Sequence, residues 1–345
     1  MKIFRINLYL TIKNFFIAFF INSNKIDKDI AKVICKNSKK KYFILTSQLR
    51  VSFLILLKYL KKKIPSKNEI IFSSYNLAEM VNISKNLNYK IKFCDLNYNS
   101  GFFNMQDLRK KINKKTIAVV LTNMFNTYQD TILLRKICRK KGVILIEDNA
   151  IFFDNYKKIK NKKNFSGTFG NYSLYSFNIM KNISALYGGG ISTNDKDFIN
   201  FAQNEIKLFK SFNLFLLFKQ SIIYIILKLL SVRLFYKLFF FKIVKQAHLN
   251  NNLFLLKIFY PSLKFTNSKF PNYYFTKISN FSKKLVYLQL QDIVSRNNNH
   301  KLRKTKNNYY MNKFKKKKIK HVQLLPIKDF NFQNFIDFPI IVKDK

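Results

Sequence analysis

Strand-length apolar segments and helix-length amphipathic segments alternate between residues 43 and 195, and this alternation constrains the fold more than any other feature of the sequence. The predicted strands are 69–73, 90–95, 116–122 and 143–148, and the predicted helices are 51–60, 77–87 and 131–141. Such alternation is typical of a sheet whose strands are mostly parallel and whose two faces are covered by helices. The predicted fold class is therefore α/β.

Residues that suit covalent cofactor chemistry follow the predicted strands of this region. Asp148 ends the strand 143–148, and in parallel sheets ligands bind at the carboxyl ends of the strands. Lys181 stands between apolar residues, five positions after Ser176 and shortly before the glycines 188–190. Pyridoxal phosphate requires a nucleophilic lysine, an acid beside its ring nitrogen, and hydroxyl or backbone donors for its phosphate. These residues match those needs, although a solvated lysine and a helix-capping aspartate would give the same sequence.

The charge of the chain has two interpretations. Its 345 residues include 64 Lys and Arg against 17 Asp and Glu, which gives a formal net charge of +47. Such an excess attracts anionic membranes and nucleic acids, but compositional drift spread over the whole surface would also produce it. Only eight of the basic residues are Arg, the side chain that sequence-specific nucleic-acid binding uses most for bidentate contacts. Nucleic acid is therefore not an expected partner.

Cysteine usage and the N-terminal segment bear on location. Cys35, Cys94 and Cys138 are scattered without a C-x-x-C pair, so the sequence predicts neither a disulfide framework nor a cysteine-based zinc site. The apolar N-terminal segment 1–22 is interrupted by Lys13 and lacks a small-residue cleavage site, which argues against a secretory signal. No stretch reaches 18 uncharged apolar residues. We expect a cytoplasmic globular protein without a metal ion.

Composition divides the rest of the chain. Residues 204–263 shift to Phe, Leu, Ile and Lys and form a hydrophobic helical insert, either a pair of core helices or an amphipathic hairpin that lies on a membrane. Residues 1–203, before the insert, form the predicted large domain that binds the cofactor. Residues 264–345 form the predicted small C-terminal α+β domain, whose strand-bearing part begins near residue 322 and stops early. We therefore expect this small domain to be incomplete.

Six ordered segments point to one family. They are LTSQLRVSFLILLKYL (45–60), EIIFSSY (69–75), FCDLNYNSGFFNMQDL (93–108), LIEDNA (145–150), SFNIMKNISALYGGGIST (176–193) and SNFSKKLVYLQL (279–290). In their order and spacing, these segments resemble motifs of the DegT/DnrJ-type sugar aminotransferases, which are pyridoxal phosphate-dependent enzymes of fold type I. The resemblance covers about residues 43–195 and 272–345, and it implies that fold for the large domain.

The resemblance also implies a role for individual residues. Lys181 matches the lysine that forms a Schiff base with pyridoxal phosphate, and Asp148 matches the acid paired with the pyridinium nitrogen. Ser176 matches a serine that binds the phosphate. Arg50 and Val51 match a helix start whose backbone amides bind the same phosphate, as helix N-termini do for anions.

By the same resemblance, the chain is expected to be a homodimer that transfers an amino group from glutamate to a keto sugar. The sugar is expected to be nucleotide-linked, and its product to enter polysaccharide or glycan biosynthesis. Several positions depart from the family pattern: Leu49 in place of Gly, Leu77 in place of a ring-stacking aromatic residue, Asn123 and Asn126 in a turn, and Ile151 in place of Gln. Two alternatives therefore stand: a degenerate, truncated relative without turnover, or a basic protein that binds membrane surfaces or nucleic acid.

Overall fold

A computed structural model describes residues 8–98, 100–123, 131–151, 167–253, 255, 270–317, 321–324, 338 and 340–342. The strands are β1 (Tyr42–Thr46), β2 (Glu69–Ser73), β3 (Lys90–Cys94), β4 (Thr116–Thr122), β5 (Ile144–Asp148), β6 (Tyr172–Ser176), β7 (Gly189–Thr193), β8 (Val322–Leu324) and β9 (Ile340–Val342). Asn126, a predicted departure from the family pattern, lies outside the described residues.

Helices fill most of the intervening sequence. They are α1 (Ile12–Phe20), α2 (Ile26–Ser38), α3 (Leu49–Lys63), α4 (Ala78–Asn86), α5 (Met105–Lys111), α6 (Thr131–Lys140), α7 (Lys196–Lys207), α8 (Leu214–Leu230), α9 (Arg233–Phe235), α10 (Phe241–Leu249), α11 (Asn280–Gln291) and α12 (Ile293–Lys317). A π-helical turn, Tyr236–Phe240, joins α9 to α10, and a 3-10 turn, Asn272–Phe275, precedes α11.

The first seven strands form one sheet in the order β1-β7-β6-β5-β4-β2-β3. The strands β3, β2, β4, β5 and β6 pair in parallel, whereas β7 runs antiparallel to both of its neighbours, β6 and β1. Every residue of β2 is buried, as expected for a central strand covered on both faces. The mostly parallel, helix-covered sheet expected from the sequence is confirmed.

Two apolar clusters enclose the sheet. The helix α3 buries ten residues against one face, together with Ile70 and Phe72 of β2. The other face buries Ile71 of β2 with Val119 and Leu121 of β4. Because side chains alternate between the two faces of a strand, the successive residues Ile70, Ile71 and Phe72 of β2 fill different clusters. The hydrophobic effect thus fixes the register of the central strands.

Strand register brings several predicted site residues to one edge. On one side of the sheet, Thr46 pairs with Gly189, and Gly189 pairs with Ser176. On the other side, Thr122 pairs with Asp148. The parallel strands all end at this edge, which is where α/β sheets bind ligands.

Residues 204–263 contain α8, α9 and α10, and their assignment as a separate insert stays a prediction. Tyr224 and Leu227 of α8 pack in a buried cluster with Leu10 and Phe15, so one side of α8 belongs to the protein core. None of the helices within the described ranges combines the length and apolar character needed to cross a membrane. The short strands β8 and β9 pair antiparallel near the C-terminus.

Gly189 gives a direct test of this packing. A methyl group there would lie 2.2 Å from the Leu49 nitrogen and 2.3 Å from the Gln48 carbonyl carbon, so backbone would have to move. We expect Gly189→Ala to lower the free energy of unfolding by about 3 kcal/mol, the upper end of overpacking effects. Urea denaturation followed by circular dichroism measures this loss.

Gly142→Ala serves as the control for Gly189→Ala. Gly142 has a φ of +61° but open space around it, so an added methyl group causes only backbone strain. That strain costs about 1 kcal/mol for a single left-handed residue. Equal losses in the two variants would contradict the close approach of β7 to the start of α3.

Candidate active site

Asp148, at the end of β5, is buried with only 4% of its surface exposed. Its Oδ1 accepts a hydrogen bond from the Ala150 amide at 2.9 Å. Burial raises the pKa of this carboxyl, and the Ala150 hydrogen bond and the positive charge of Lys181 oppose the rise. Lys181 is thus close enough for its positive charge to act on the Asp148 carboxyl.

Lys181 lies in the connection between β6 and β7, which folds back on itself. The Lys181 amide donates to the Asn178 carbonyl at 3.0 Å, and the Ser184 hydroxyl donates to the Ile179 carbonyl at 2.7 Å. Gln289 of α11 holds the loop from outside: its Oε1 accepts from the Ser184 amide at 3.0 Å, and its Nε2 donates to the Ser184 carbonyl at 2.6 Å. These contacts fix the backbone that carries the lysine.

Ser176 and the start of α3 meet through Gly189. Ser176 ends β6 and pairs with Gly189, whose Cα lies against the backbone of Gln48 and Leu49. The first amides of a helix have no acceptor within the helix, and they attract anions. In α3 the Val51 amide already donates to the Gln48 carbonyl at 3.1 Å, so a bound anion would share this donor with that carbonyl. A phosphate-binding role for these residues stays a prediction.

The Arg50 side chain contacts a neighbouring helix, whereas its backbone amide lies at the start of α3. Its guanidinium forms an ion pair with Glu79 of α4. Burial raises the pKa of the Glu79 carboxyl, and the Arg50 charge opposes that rise. Arg50 also lies close enough to Tyr273 and Tyr274 to lower the pKa that burial raises in each phenol. The ion pair therefore links α3, α4 and the turn before α11.

The departures from the family pattern lie around the same edge. Leu77, the N-cap of α4, leaves 42% of its surface exposed. Its neighbour Asn76 donates to the Thr122 hydroxyl at 2.9 Å, which holds this turn beside the end of β4. Asn123 is buried and donates to the Asn149 side chain at 2.7 Å. Leu77 and Asn123 thus stand where the family pattern has an aromatic ring and a histidine.

Unsatisfied polar atoms indicate that this edge receives a polar ligand. Among the described residues, Ser47 Oγ, Gln48 Oε1 and Asn178 Oδ1 are buried without a hydrogen-bond partner. Two of them stand at the start of α3 and the third lies three residues before Lys181. Buried polar atoms are normally paired. The Ser47 hydroxyl can donate to a phosphate oxygen, whereas the Gln48 and Asn178 amide oxygens accept and require a donor. The residues therefore fit pyridoxal phosphate.

Sequence reasoning missed two residues that shape the site. The buried Glu147 carboxylate accepts hydrogen bonds from the Gly167, Phe169 and Gly170 amides at 3.1, 2.9 and 2.6 Å. A charged residue inside an otherwise apolar strand was the available signal for this contact. Gln289, in the apolar run of α11, gave a similar signal. Across the described ranges, no group of three His, Cys, Asp or Glu side chains is arranged to hold a metal ion.

Comparison with known proteins adds independent information. The model of the DegT/DnrJ/EryC1/StrS aminotransferase family matches residues 19–211. The chain is 31% identical over 130 residues to GDP-perosamine synthase of Vibrio cholerae, covering 37% of this chain and 34% of that protein. It is 24% identical over 180 residues to UDP-4-amino-4,6-dideoxy-N-acetyl-beta-L-altrosamine transaminase of Helicobacter pylori, covering 52% and 46%. The matches thus span one third to one half of these relatives.

Solved structures share the fold over most of the chain. The aminotransferase PseC of Helicobacter pylori superposes with a TM-score of 0.64 at 15% identity, covering 96% of this chain and 74% of that one. The E. coli GDP-4-keto-6-deoxy-D-mannose-3-dehydratase with bound hydrated PLP gives 0.65 at 17% identity, covering 98% and 79%. At such identities the likeness shows the fold, which agrees with the predicted fold type I.

The raised pKa of Asp148 predicts how stability depends on pH. The prediction compares the melting temperatures of wild type and Asp148→Asn, both freed of cofactor. Wild type should lose stability relative to the variant as pH rises from the ordinary aspartate pKa through the raised pKa of the folded state. The reason is that ionising Asp148 costs more free energy in the folded protein than in the unfolded chain. The change should be about 2 °C or more, since about 1 kcal/mol shifts a protein of this size by that much. Differential scanning fluorimetry between pH 4 and 8 measures it.

Asp95→Asn is the control for this measurement, because the Asp95 side chain is exposed at the end of β3. Its difference from wild type reports the effect of an Asp-to-Asn change at the protein surface. If wild type instead gains stability relative to Asp148→Asn as pH rises, the ionised carboxylate is stabilised in the folded protein. That result would contradict a raised pKa of Asp148.

Proposed function

The chain belongs to the DegT/DnrJ/EryC1/StrS aminotransferase family, and we propose that it transfers an amino group to a keto sugar with pyridoxal phosphate as cofactor. The observation that carries the proposal is the joint placement of Asp148 and Lys181 at the carboxyl edge of the sheet, where the positive charge of Lys181 acts on the buried carboxyl. When bound, the cofactor supplies an electron sink that stabilises negative charge at the carbon losing its proton.

Each residue of the site has a distinct task in this proposal. The Asp148 carboxylate holds a proton on the cofactor ring nitrogen, and the cationic ring in turn favours the ionised carboxylate. The Ser176 hydroxyl and the backbone amides of Arg50 and Val51 bind the phosphate at the start of α3. The Arg50–Glu79 ion pair positions that helix start rather than contacting the ligand.

Lys181 carries two tasks, covalent attachment of the cofactor and proton transfer. Its Nζ must be neutral to act as a nucleophile and later to take a proton from the amino donor as general base. Gln289 and the turn 178–181 hold the loop while the side chain moves. The backbone that carries the lysine is therefore fixed.

The names of two relatives support a substrate class. GDP-perosamine synthase and the altrosamine transaminase have nucleotide sugars in their names. We propose that this chain also acts on a nucleotide-linked keto sugar, with glutamate as amino donor, and that the product enters glycan or polysaccharide biosynthesis. The described residues around the edge leave an apolar Leu77 where a ring-stacking aromatic is expected, so cofactor retention should be weak.

We also propose two contacts of the whole protein. The first is a homodimer, which the family resemblance implies; light scattering should give twice the 41.2 kDa of one chain. The second is a peripheral contact of residues 204–263 with a membrane surface. It is supported by the large apolar side chains that α8, α9 and α10 leave exposed.

Chemical trapping tests the assignment of Lys181. Incubation with pyridoxal phosphate followed by borohydride reduction should add a pyridoxyl group, and peptide mass spectrometry should place it on Lys181. Lys181→Ala should lose this label and the associated absorbance, and Lys181→Arg should lose it too, since a guanidinium stays protonated and is not a nucleophile. Both variants should keep the wild-type circular dichroism spectrum.

Two other lysines sharpen the trapping experiment. Burial lowers the pKa of Lys40 and of Lys228, so each is a competing nucleophile. Lys40 donates to the carbonyls of Thr168 and Gly170, and Lys228 to those of Leu8 and Leu10. We expect both to stay unlabelled because these contacts occupy their Nζ atoms. A label on either one, or an equal label in Lys181→Ala, would reject the assignment, while labelling of Lys181 without amine transfer to a keto sugar would identify a non-catalytic relative.

A further inference from the structure

The helix α8 leaves a continuous apolar stripe exposed. Its exposed residues recur at helical spacing along one side: Leu214, Phe215, Phe218, Ile222, Ile225, Ile226 and Leu229. Leu214 leaves 75% of its surface uncovered. The stripe continues beyond the helix through further exposed residues: Val232, Leu234, Phe235, Leu238, Phe239 and Ile243. Exposed apolar areas of this extent mark contact surfaces in soluble proteins.

The N-terminal helix α1 carries a second stripe of the same kind. Ile12, Phe16, Phe19 and Phe20 are exposed at helical spacing, and Phe20 leaves 88% of its surface uncovered. The opposite side of α1 is buried, with Phe15 and Ala18 in the core. The stripe is therefore the outward face of a helix that is already packed on its other side.

Specific contacts fasten α8 to the segment that begins α1. The Tyr224 hydroxyl donates to the Leu10 carbonyl at 3.0 Å, and the Tyr224 ring stacks on Phe15 with centroids 5.1 Å apart. The Lys228 Nζ donates to the carbonyls of Leu8 and Leu10 at 2.8 and 3.0 Å. These contacts use the buried sides of both elements and leave their apolar stripes exposed.

Charge around the stripes has one sign. Between Glu205 and Asp292 the sequence contains thirteen Lys and one Arg but no acidic residue. Lys219, Lys237, Lys242 and Lys245 are exposed beside the apolar stripe, as is Lys13 on α1. Apolar helices with many exposed lysines complement an anionic lipid bilayer, whose interior is apolar and whose head groups are negatively charged.

We propose that α1 and the helices α8 to α10 form one composite surface that docks on anionic phospholipid. The proposal rests on the membrane contact proposed above for residues 204–263 and adds the N-terminal helix and the lipid charge. The stripes enter the boundary between head groups and acyl chains, and the lysines bind the lipid phosphates. The amino-sugar chemistry would then take place next to the membrane.

Vesicle flotation with the full chain tests this surface. Wild type should float with vesicles of phosphatidylglycerol and phosphatidylcholine and stay at the bottom with phosphatidylcholine alone. Two double variants test the two stripes: Phe16→Ser/Phe20→Ser on α1 and Phe218→Ser/Ile222→Ser on α8. Each should lower the partition coefficient by about tenfold or more, because each removes two large apolar side chains that would insert into the lipid. Ile132→Ser, at an exposed apolar residue of α6, is the control and should float like wild type.

The outcomes separate the two proposals. If the α8 variant loses binding and the α1 variant keeps it, the composite surface is wrong while the contact of residues 204–263 stands. If wild type binds neither vesicle, both are wrong. Equal binding to neutral and anionic vesicles would contradict the proposed preference for anionic lipid. If wild type forms an assembly larger than a dimer and the serine variants do not, the surface is a protein interface. Melting temperatures equal to wild type confirm that the variants are folded.

Discussion

The close approach of β7 to the start of α3 is the constraint on which the candidate site depends. Only a residue without a side chain fits at Gly189, because its Cα faces the backbone of Gln48 and Leu49. Through the pairing of Gly189 with Thr46 and Ser176, this approach brings the ends of β1 and β6 to the first turn of α3. The serine and the helix amides thus share one edge.

The adjacent carboxylates of Glu147 and Asp148 differ in the number of hydrogen bonds that they accept. Glu147 points into the structure and receives three backbone amides, which tie the segment before β6 to β5. Asp148 is equally buried but accepts one described hydrogen bond, from Ala150, and faces the charge of Lys181. The Glu147 carboxylate stabilises the fold, whereas the Asp148 carboxylate can still accept a hydrogen bond from a ligand. Such costly, incompletely satisfied groups are typical of functional sites.

The sequence predicted the central strands well because burial on both faces leaves a simple apolar pattern. The bounds of β2 and β4 agree with those expected, and Asp148 was expected at the end of β5. The strands β6 and β7 were not predicted, because they are rich in Ser, Thr and Gly although most of their residues are buried. The roles of Glu147 and Gln289 depend on contacts across more than twenty residues, which local patterns do not encode. The same limit applied to α1, whose partner α8 lies about 200 residues away in the chain.

The central claim is that the carboxyl edge of the sheet is a pyridoxal phosphate site, and a crystal structure of the protein with this cofactor tests it most directly. The account predicts density continuous with Lys181 Nζ, a ring nitrogen within hydrogen-bond distance of the Asp148 carboxylate, and a phosphate at the start of α3. The buried Ser47 hydroxyl should gain a partner in the same map. Cofactor density at another lysine, or a phosphate away from α3, would contradict the account.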